Sequence, residues 1–146
     1  METVVKKFEE LTLWELYEIL RIRSEVFVVE QNCVYQDLDE IDQEAYHVYL
    51  KENGKIWAYL RVIDKGKRLD EVSIGRVISL KRRCGLGGKL MAEGVKVAEE
   101  KFGAKRIKIG AQAYARPFYE SAGFRVIKEE TYMEDGIPHI YMLYGE

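Results

Sequence analysis

Residues 74–91 read IGRVISLKRRCGLGGKLM and are the most informative part of the sequence. The β-rich run at their start predicts a strand over Val72–Leu80. After a short basic turn, Gly85–Gly88 open an amphipathic helix that we expect to reach Phe102. Glycine lets a backbone approach a ligand closely, and the start of a helix exposes unpaired N–H groups. The stretch therefore predicts a strand–turn–helix unit that binds an anion such as pyrophosphate, or else a glycine-bearing turn without a ligand.

The spacing of these glycines does not fit two common nucleotide-binding turns. A P-loop would need glycine at Arg83 and serine or threonine at Leu90. The dinucleotide-binding fingerprint would need glycine at Leu90. The turn instead matches Arg-x-x-Gly-x-Gly, with Arg82, Gly85 and Gly87 in the defined positions.

Composition narrows the class of protein. The 146 residues are 47% apolar and 33% charged, which is typical of a soluble globular protein, and we expect one domain over residues 1–146. The net charge of −2 argues against nucleic acid as a partner, because duplex-binding domains carry a positive excess. We also expect no membrane association, since no run approaches the roughly 18–20 apolar residues of a membrane span. The two cysteines, Cys33 and Cys84, and an N-terminus unlike a signal peptide predict a cytoplasmic protein.

The remaining elements alternate strands with helices. Thr12 and Glu15 fit a capping box, and the helix that follows should run to about Phe27 with Leu13, Leu16, Tyr17, Leu20 and Phe27 at helical spacing. Asn53-Gly54 predicts a hairpin turn, and Gly103 predicts a helix end. Further strands are expected at Thr3–Phe8, Tyr46–Leu50, Ile56–Ile63, Arg106–Ala111, Phe124–Tyr132 and His139–Tyr144, with a short helix at Arg116–Ala122. This order predicts an α/β (α+β) sheet with helices packed on its faces.

A second motif follows in residues 110–124, GAQAYARPFYESAGF. Together with the turn it resembles the GNAT (GCN5-related N-acetyltransferase) superfamily, in which a strand precedes Asn-x-x-Ala-x-x-x-Tyr-x-x-x-Gly-Phe. The matching positions here are Gln112, Ala115, Tyr119, Gly123 and Phe124. Two departures occur: Gln112 replaces the usual asparagine, and Arg83 stands where the family's first turn glycine would be.

Within that superfamily the chain resembles the ElaA-like group. The residues that carry this resemblance lie between Phe27 and His139: Phe27–Cys33, Tyr35–Asp37, Ile74–Ile78, Gly110–Ala113 and Glu134–His139. The resemblance implies a mixed, mostly antiparallel sheet of about six to seven strands with a splayed parallel pair, flanked by about four helices. It also implies direct acetyl transfer from acetyl-CoA to an amine, through a ternary complex and without a metal.

The resemblance assigns most of the coenzyme site to two segments. Main-chain groups of Val77, Ile78 and Ser79 are expected to pair with the pantetheine arm. The pyrophosphate is expected on N–H groups from Arg83 to Gly88, with added charge from Arg82 and Arg83. The full set of expected coenzyme-binding residues is Val77, Ile78, Ser79, Arg82, Arg83, Cys84, Gly85, Leu86, Gly87, Gly88, Gln112 and Tyr119.

The resemblance also points to the groups that move protons. Tyr119 is expected to be the general acid that protonates the departing thiolate. Candidates for the base that deprotonates the amine are Glu30, His47, His139 and a bound water, with catalytic roles predicted for Glu30 and His139. His47 is also compatible with a hydrogen-bonded core histidine, and His139 with a turn-stabilising role.

Several alternatives stay open at the level of the sequence. The chain could be a non-catalytic acyl-CoA-binding sensor, or an enzyme like the acyl-homoserine-lactone synthases. The acidic segment Glu30–Glu44 could attract a cationic amine acceptor or form a solvated surface loop. The C-terminal strand His139–Tyr144 could pair between the subunits of a homodimer.

Overall fold

A computed structural model describes residues 1–81 and 85–146. The first half of the chain forms an antiparallel sheet in the order β1-β2-β3-β4, from β1 (Glu2–Lys7), β2 (Tyr46–Glu52), β3 (Lys55–Ile63) and β4 (Ser73–Ser79). Asn53 and Gly54 both have positive φ (53° and 73°) in the turn between β2 and β3, which confirms the predicted hairpin.

The second half forms another antiparallel sheet around one central strand. Its strands are β5 (Arg106–Gln112), β6 (Arg125–Val126), β7 (Tyr132–Glu134) and β8 (Ile137–Gly145), and β8 pairs with the other three. Asp135 and Gly136 form the turn between β7 and β8. Since β5 lies on one side of β8, and β6 and β7 on the other, β8 has no open edge. Both sides of β8 are thus occupied by strands of the same chain, so β8 is not placed to pair with a second subunit.

The two sheets meet through one parallel contact. Val72 bridges to Ile107, and the Lys108 N–H donates to the Val72 carbonyl at 2.9 Å. Beyond this point β4 and β5 are not paired with each other. The predicted splayed parallel pair is confirmed, and it leaves a cleft between the sheets.

Helices cover the sheets. They are α1 (Leu13–Arg23), continued by π-helical turns over Ser24–Glu30, α2 (Leu86–Phe102) and α3 (Arg116–Ser121). The predicted fold class is confirmed, with eight strands and three α-helices in residues 1–81 and 85–146. None of the helices there is long and apolar enough to span a bilayer.

Helix α2 packs the main core against the first sheet. Leu90, Gly94 and Ala98 lie on its buried face, and Gly103 ends it with a φ of 60° as predicted. A Cβ added to Gly94 would come within 2.8 Å of a Leu60 methyl group, so the close packing here leaves little room for a side chain.

Helix α1 buries a different face from the one its apolar spacing indicates. Leu13, Trp14 and Tyr17 are 84%, 86% and 72% exposed, whereas Glu15 and Arg23 are buried. The capping box is confirmed, because Glu15 accepts from the Thr12 N–H at 2.8 Å and Thr12 Oγ1 accepts from the Glu15 N–H at 3.1 Å. The buried face also carries Ile19 and Ile22, which pack in an apolar cluster with Tyr59 of the first sheet.

The acidic segment after α1 is not a solvated loop. Asp37 and Asp42 are buried, and both bind Arg23, through its Nε at 3.0 Å and its Nη1 at 2.7 Å. Arg61 and Arg76 add further bonds to Asp39, Asp42 and Asp37. Asp37, Asp39 and Asp42 are therefore paired with arginines rather than free in solvent, whereas the exposed acids of the same segment are Glu30, Glu40 and Glu44.

Candidate functional site

A cleft of about 520 Å³ opens where β4 and β5 diverge. Among residues 1–81 and 85–146, no strand pairs with this side of β4 beyond Val72, so its edge can offer main-chain groups to a ligand. Most of the predicted pantetheine and catalytic positions line the cleft. They are Val77, Ile78, Ser79, Gln112, Tyr119 and His139.

A bulge in β4 lies at the centre of this wall. Tyr59 pairs with Ile78 and Arg61 with Gly75, so two residues of β4, Arg76 and Val77, stand opposite one residue of β3. Arg76 has a φ of 52°, which is unusual for a side chain other than glycine. Its Nε donates to Asp37 Oδ1 at 2.8 Å, and this ion pair holds the bulge in place. Sequence patterns missed the bulge, because it depends on the pairing of two strands.

The glycine turn before α2 packs against α3, a helix that lines the cleft. Gly85 has a φ of 72° and precedes the first residue of α2, Leu86. A Cβ on Gly87 would lie 2.8 Å from the ring of Phe118, which lines the cleft, while Gly88 has no heavy atom within 4 Å of such a Cβ. The predicted contacts of Arg82, Arg83 and Cys84 lie outside the described residues.

Tyr119 projects from α3 into the cleft. Its ring packs edge-on against Phe118 at 5.1 Å and against Phe124 at 6.0 Å. Burial raises the pKa of Tyr119 well above its usual range, so the phenol stays protonated at neutral pH. The Tyr119 hydroxyl has no hydrogen-bond partner among residues 1–81 and 85–146, and the residue lines the cleft.

Gln112, the last residue of β5, is paired with Gln31. Gln31 Nε2 donates to Gln112 Oε1 at 3.1 Å, and Gln112 Nε2 donates to Gln31 Oε1 at 3.2 Å. The pair connects the end of the π-helical segment to the end of β5. Gln112 therefore has a structural partner that the motif alone did not reveal.

His139 lines the cleft from β8. Its Nδ1 is 2.7 Å from the Ile137 carbonyl and must carry the proton of that hydrogen bond, because a carbonyl only accepts. Its Nε2 is 3.4 Å from Glu134 Oε2, and Glu134 is bound in turn by Arg68 at 3.1 Å. His139 therefore both hydrogen-bonds the turn before it and lines the cleft, which fits the two roles predicted for it.

The other two candidate bases are placed elsewhere. Glu30 is exposed at the end of the π-helical turns and is not among the residues that line the cleft. His47 is fully buried, with Nδ1 2.7 Å from the Tyr59 hydroxyl and Nε2 2.9 Å from the Asp42 carbonyl. Burial lowers the pKa of His47, so it is a neutral core histidine.

Sequence reasoning missed several residues of the cleft wall, namely Gln31, Cys33, Arg61, Arg68, Ser73, Gly75, Arg76 and Glu134. Some of them fall in segments that carry the ElaA-like resemblance, and that resemblance was the only sign in the sequence that they belong to the site. Cys33 Sγ lies 3.2 Å from the Asp135 carbonyl, where it connects the loop after α1 to the β7–β8 turn. Within residues 1–81 and 85–146, no three His, Cys, Asp or Glu side chains converge as metal ligands would.

Solved structures with this architecture are known. Escherichia coli ElaA aligns with a TM-score of 0.89 and 38% identity, over 99% of each chain. An acyl-CoA N-acyltransferase from Pseudomonas aeruginosa also aligns with a TM-score of 0.89 and 38% identity, over 99% of this chain and 100% of the other.

Sequence comparison also finds ElaA, among other relatives. The UPF0039 protein C11D3.02c of Schizosaccharomyces pombe is 41% identical over 97% of this chain and 95% of its own length. E. coli ElaA is 39% identical over 91% of this chain and 89% of its own length. Residues 11–144 match the family model described as the acetyltransferase (GNAT) domain. The chain therefore belongs to the GNAT acetyltransferase family.

Proposed function

We propose that this protein transfers an acetyl group from acetyl-CoA directly to a primary amine of a small molecule or protein, in a ternary complex. The observation that carries the proposal is the β4–β5 cleft, into which Tyr119 projects from α3 and His139 from β8. Membership of the GNAT family supports the use of acyl-CoA.

The coenzyme would be held by two neighbouring parts of the fold. The unpaired edge of β4 at Val77–Ser79 suits the amide groups of the pantetheine arm, since strands bind extended ligands through main-chain hydrogen bonds. The start of α2, a helix of 17 residues, suits the pyrophosphate because N–H groups and the helix dipole favour an anion there. We assign Arg82, Arg83 and Cys84 to the same site from the sequence. The coenzyme supplies the activated thioester.

Tyr119 would act as the general acid. A phenol that burial keeps protonated can donate its proton to a developing thiolate, whose conjugate acid has a pKa of about 8.5 in water. The raised pKa makes Tyr119 a weaker acid than a free phenol. The transfer therefore has to occur as negative charge develops on sulfur, not before.

His139 is the base that the geometry supports best. Because Nδ1 is committed to the Ile137 carbonyl, Nε2 is the nitrogen that can receive the proton of the amine. The Glu134 carboxylate 3.4 Å away would stabilise the resulting imidazolium. Glu30 is a weaker candidate, since it is exposed and outside the cleft.

Thermal unfolding with acetyl-CoA, ATP or NAD tests first whether the protein binds acetyl-CoA. Ligand at about 100 times its dissociation constant adds about 2.7 kcal/mol, a shift of several degrees for a chain of this size. A shift with acetyl-CoA alone, followed by amine-dependent thiol release, is the expected result. A shift without thiol release from any amine would favour the non-catalytic sensor, and a larger shift with ATP or NAD would refute the coenzyme site.

A further inference from the structure

Arg68 and Glu134 form an ion pair in the wall of the cleft. Arg68 lies in the loop between β3 and β4 of the first sheet, whereas Glu134 is the last residue of β7 in the second sheet. The Arg68 Nη2 donates to Glu134 Oε1 at 3.1 Å and to Oε2 at 3.3 Å, and both residues line the cleft. The pair therefore joins the two sheets at a second place, apart from the bridge between Val72 and Ile107.

Stability alone does not account for this ion pair. Its side chains are 28% and 38% exposed, and an ion pair in contact with solvent contributes little to the free energy of unfolding. Holding two long side chains in one geometry also costs conformational entropy. What the pair does change is the position of the Glu134 carboxylate, which lies in the cleft beside the candidate base.

The carboxylate that Arg68 holds is also the neighbour of His139. Glu134 Oε2, 3.3 Å from Arg68 Nη2, is 3.4 Å from His139 Nε2. The ring is fixed on its other side, because Nδ1 donates to the Ile137 carbonyl at 2.7 Å. A partly exposed glutamate without a partner would exchange among several rotamers and spend only part of its time beside the ring. Arg68 is thus the group that restricts the carboxylate to the side of Nε2.

The loop that carries Arg68 is itself ordered by main-chain hydrogen bonds. The Gly66 N–H donates to the Leu69 carbonyl at 2.8 Å, and the Lys67 N–H donates to the Asp64 carbonyl at 3.4 Å. Arg68 lies between the two residues of the first bond. The guanidinium therefore extends from an ordered backbone, as a group that positions another side chain requires.

Arg68 has two opposite effects on a positive charge at His139. By fixing the Glu134 carboxylate it keeps an opposite charge 3.4 Å from Nε2, but its own guanidinium is a like charge that disfavours an imidazolium. We expect the first effect to prevail, because the carboxylate acts only while it stays beside the ring, whereas solvent screens the guanidinium. Removal of Arg68 should then impair the reaction, and the opposite sign would show that repulsion prevails.

We propose that Arg68 is a positioning residue for the proposed transfer: it holds the Glu134 carboxylate beside His139 Nε2 while that nitrogen takes the proton of the acceptor amine. In that step an N–H bond of the ammonium breaks, its electron pair remains on the amine nitrogen, and a new N–H bond forms at Nε2. The positive charge moves with the proton onto the ring, where Glu134 faces it. The inference rests on the proposed function and adds to it the residue that keeps the counter-charge in place.

A double-mutant cycle with Glu134 tests this role. We expect Arg68→Ala to lower kcat/KM for the amine roughly fivefold, mainly through kcat, because proton transfer and not binding is impaired. In the Glu134→Gln background the same change should alter kcat/KM by less than about twofold, since no carboxylate is left to hold. Arg68→Lys, which keeps a cation for the carboxylate, should recover most of the loss. Lys67→Ala removes the neighbouring cation of the same loop, which pairs with Glu44, and should leave kcat/KM unchanged.

Unchanged or higher kcat/KM in Arg68→Ala, or an equal loss in the Glu134→Gln background, would overturn the proposal. If the wild-type protein releases no thiol with any amine, the transferase function fails separately, and NMR of the histidine rings then decides about Arg68. The chain has two histidines, so the buried His47 serves as the internal reference. At fixed pH, Arg68→Ala should displace the His139 ring signal, and it should not displace that signal in the Glu134→Gln background. No displacement, or the same displacement in both backgrounds, refutes the positioning role.

Discussion

Gln31 and Gln112, which are 81 residues apart, pair their side-chain amides through two hydrogen bonds of 3.1 and 3.2 Å. One residue follows the π-helical segment and the other ends β5, so the pair closes one side of the cleft. A pair of this kind requires both amides, because each donates to the other.

Replacing one glutamine should therefore destabilise the protein about as much as replacing both. We expect Gln31→Ala to cost about 1–2 kcal/mol, since it leaves a partly buried amide unpaired. The double variant Gln31→Ala/Gln112→Ala should cost little more, which urea unfolding and a double-mutant cycle would measure. Gln43→Ala, at an exposed glutamine bonded to Glu40, is the control and should cost under about 0.5 kcal/mol. Additive costs would show that the two amides act independently.

Tyr119→Phe should lower kcat at least tenfold while acetyl-CoA still raises Tm. The variant keeps the ring contacts with Phe118 and Phe124 and removes only the hydroxyl. Tyr114→Phe, at an exposed tyrosine of the cleft mouth, removes a hydroxyl without this effect. Wild-type turnover in Tyr119→Phe would exclude the tyrosine as the acid.

Glu134→Gln should lower kcat/KM about tenfold. The Glu134 carboxylate lies 3.4 Å from His139 Nε2, where it can stabilise the positive charge that forms on the ring as the amine loses its proton. Asp135→Asn removes the same charge one residue away and is the control, with kcat/KM expected to stay within about twofold of wild type. Unchanged kcat/KM in Glu134→Gln would argue against His139 as the base.

Arg23→Ala should destabilise the protein by about 3–5 kcal/mol, because it leaves buried Asp37 and Asp42 without their cation. Lys67→Ala breaks an exposed ion pair with Glu44 and should cost about 0–1 kcal/mol. Guanidinium chloride unfolding compares the two. If both variants lost only a similar, small free energy of unfolding, Arg61 and Arg76 alone would be enough to neutralise Asp37 and Asp42.

Glu15 should give the protein an acid-dependent stability. Although burial alone would raise it, hydrogen bonds from the Thr12 N–H, Tyr49 and Lys6 lower the pKa of Glu15 from 4.5 to about 2. Because the folded pKa is the lower one, the stabilisation is complete above about pH 4.5 and is lost as the pH falls towards 2. Glu15→Gln should lose about 2 kcal/mol at pH 7 and less at pH 3, measured by urea unfolding. Glu9→Gln serves as the exposed control, and an equal loss at both pH values would contradict the assignment.

Local sequence signals located most of the elements. The Thr12/Glu15 capping box, the Asn53-Gly54 turn and Gly103 were all confirmed, because each depends on backbone groups within a few residues. The motif at Gln112 and Tyr119 likewise predicted two residues of the cleft wall.

Contacts between distant segments decided the remaining features. The buried face of α1, the neutralised carboxylates of Asp37 and Asp42, and the bulge at Arg76 all depend on partners from other parts of the chain. The sequence alone determined where α1 begins, where α2 ends and where the turn between β2 and β3 lies, because those signals are short-range. Only the tertiary structure decided which charges are buried and which oxygens and nitrogens line the cleft, since burial and ion pairing arise when the two sheets and α1 pack together.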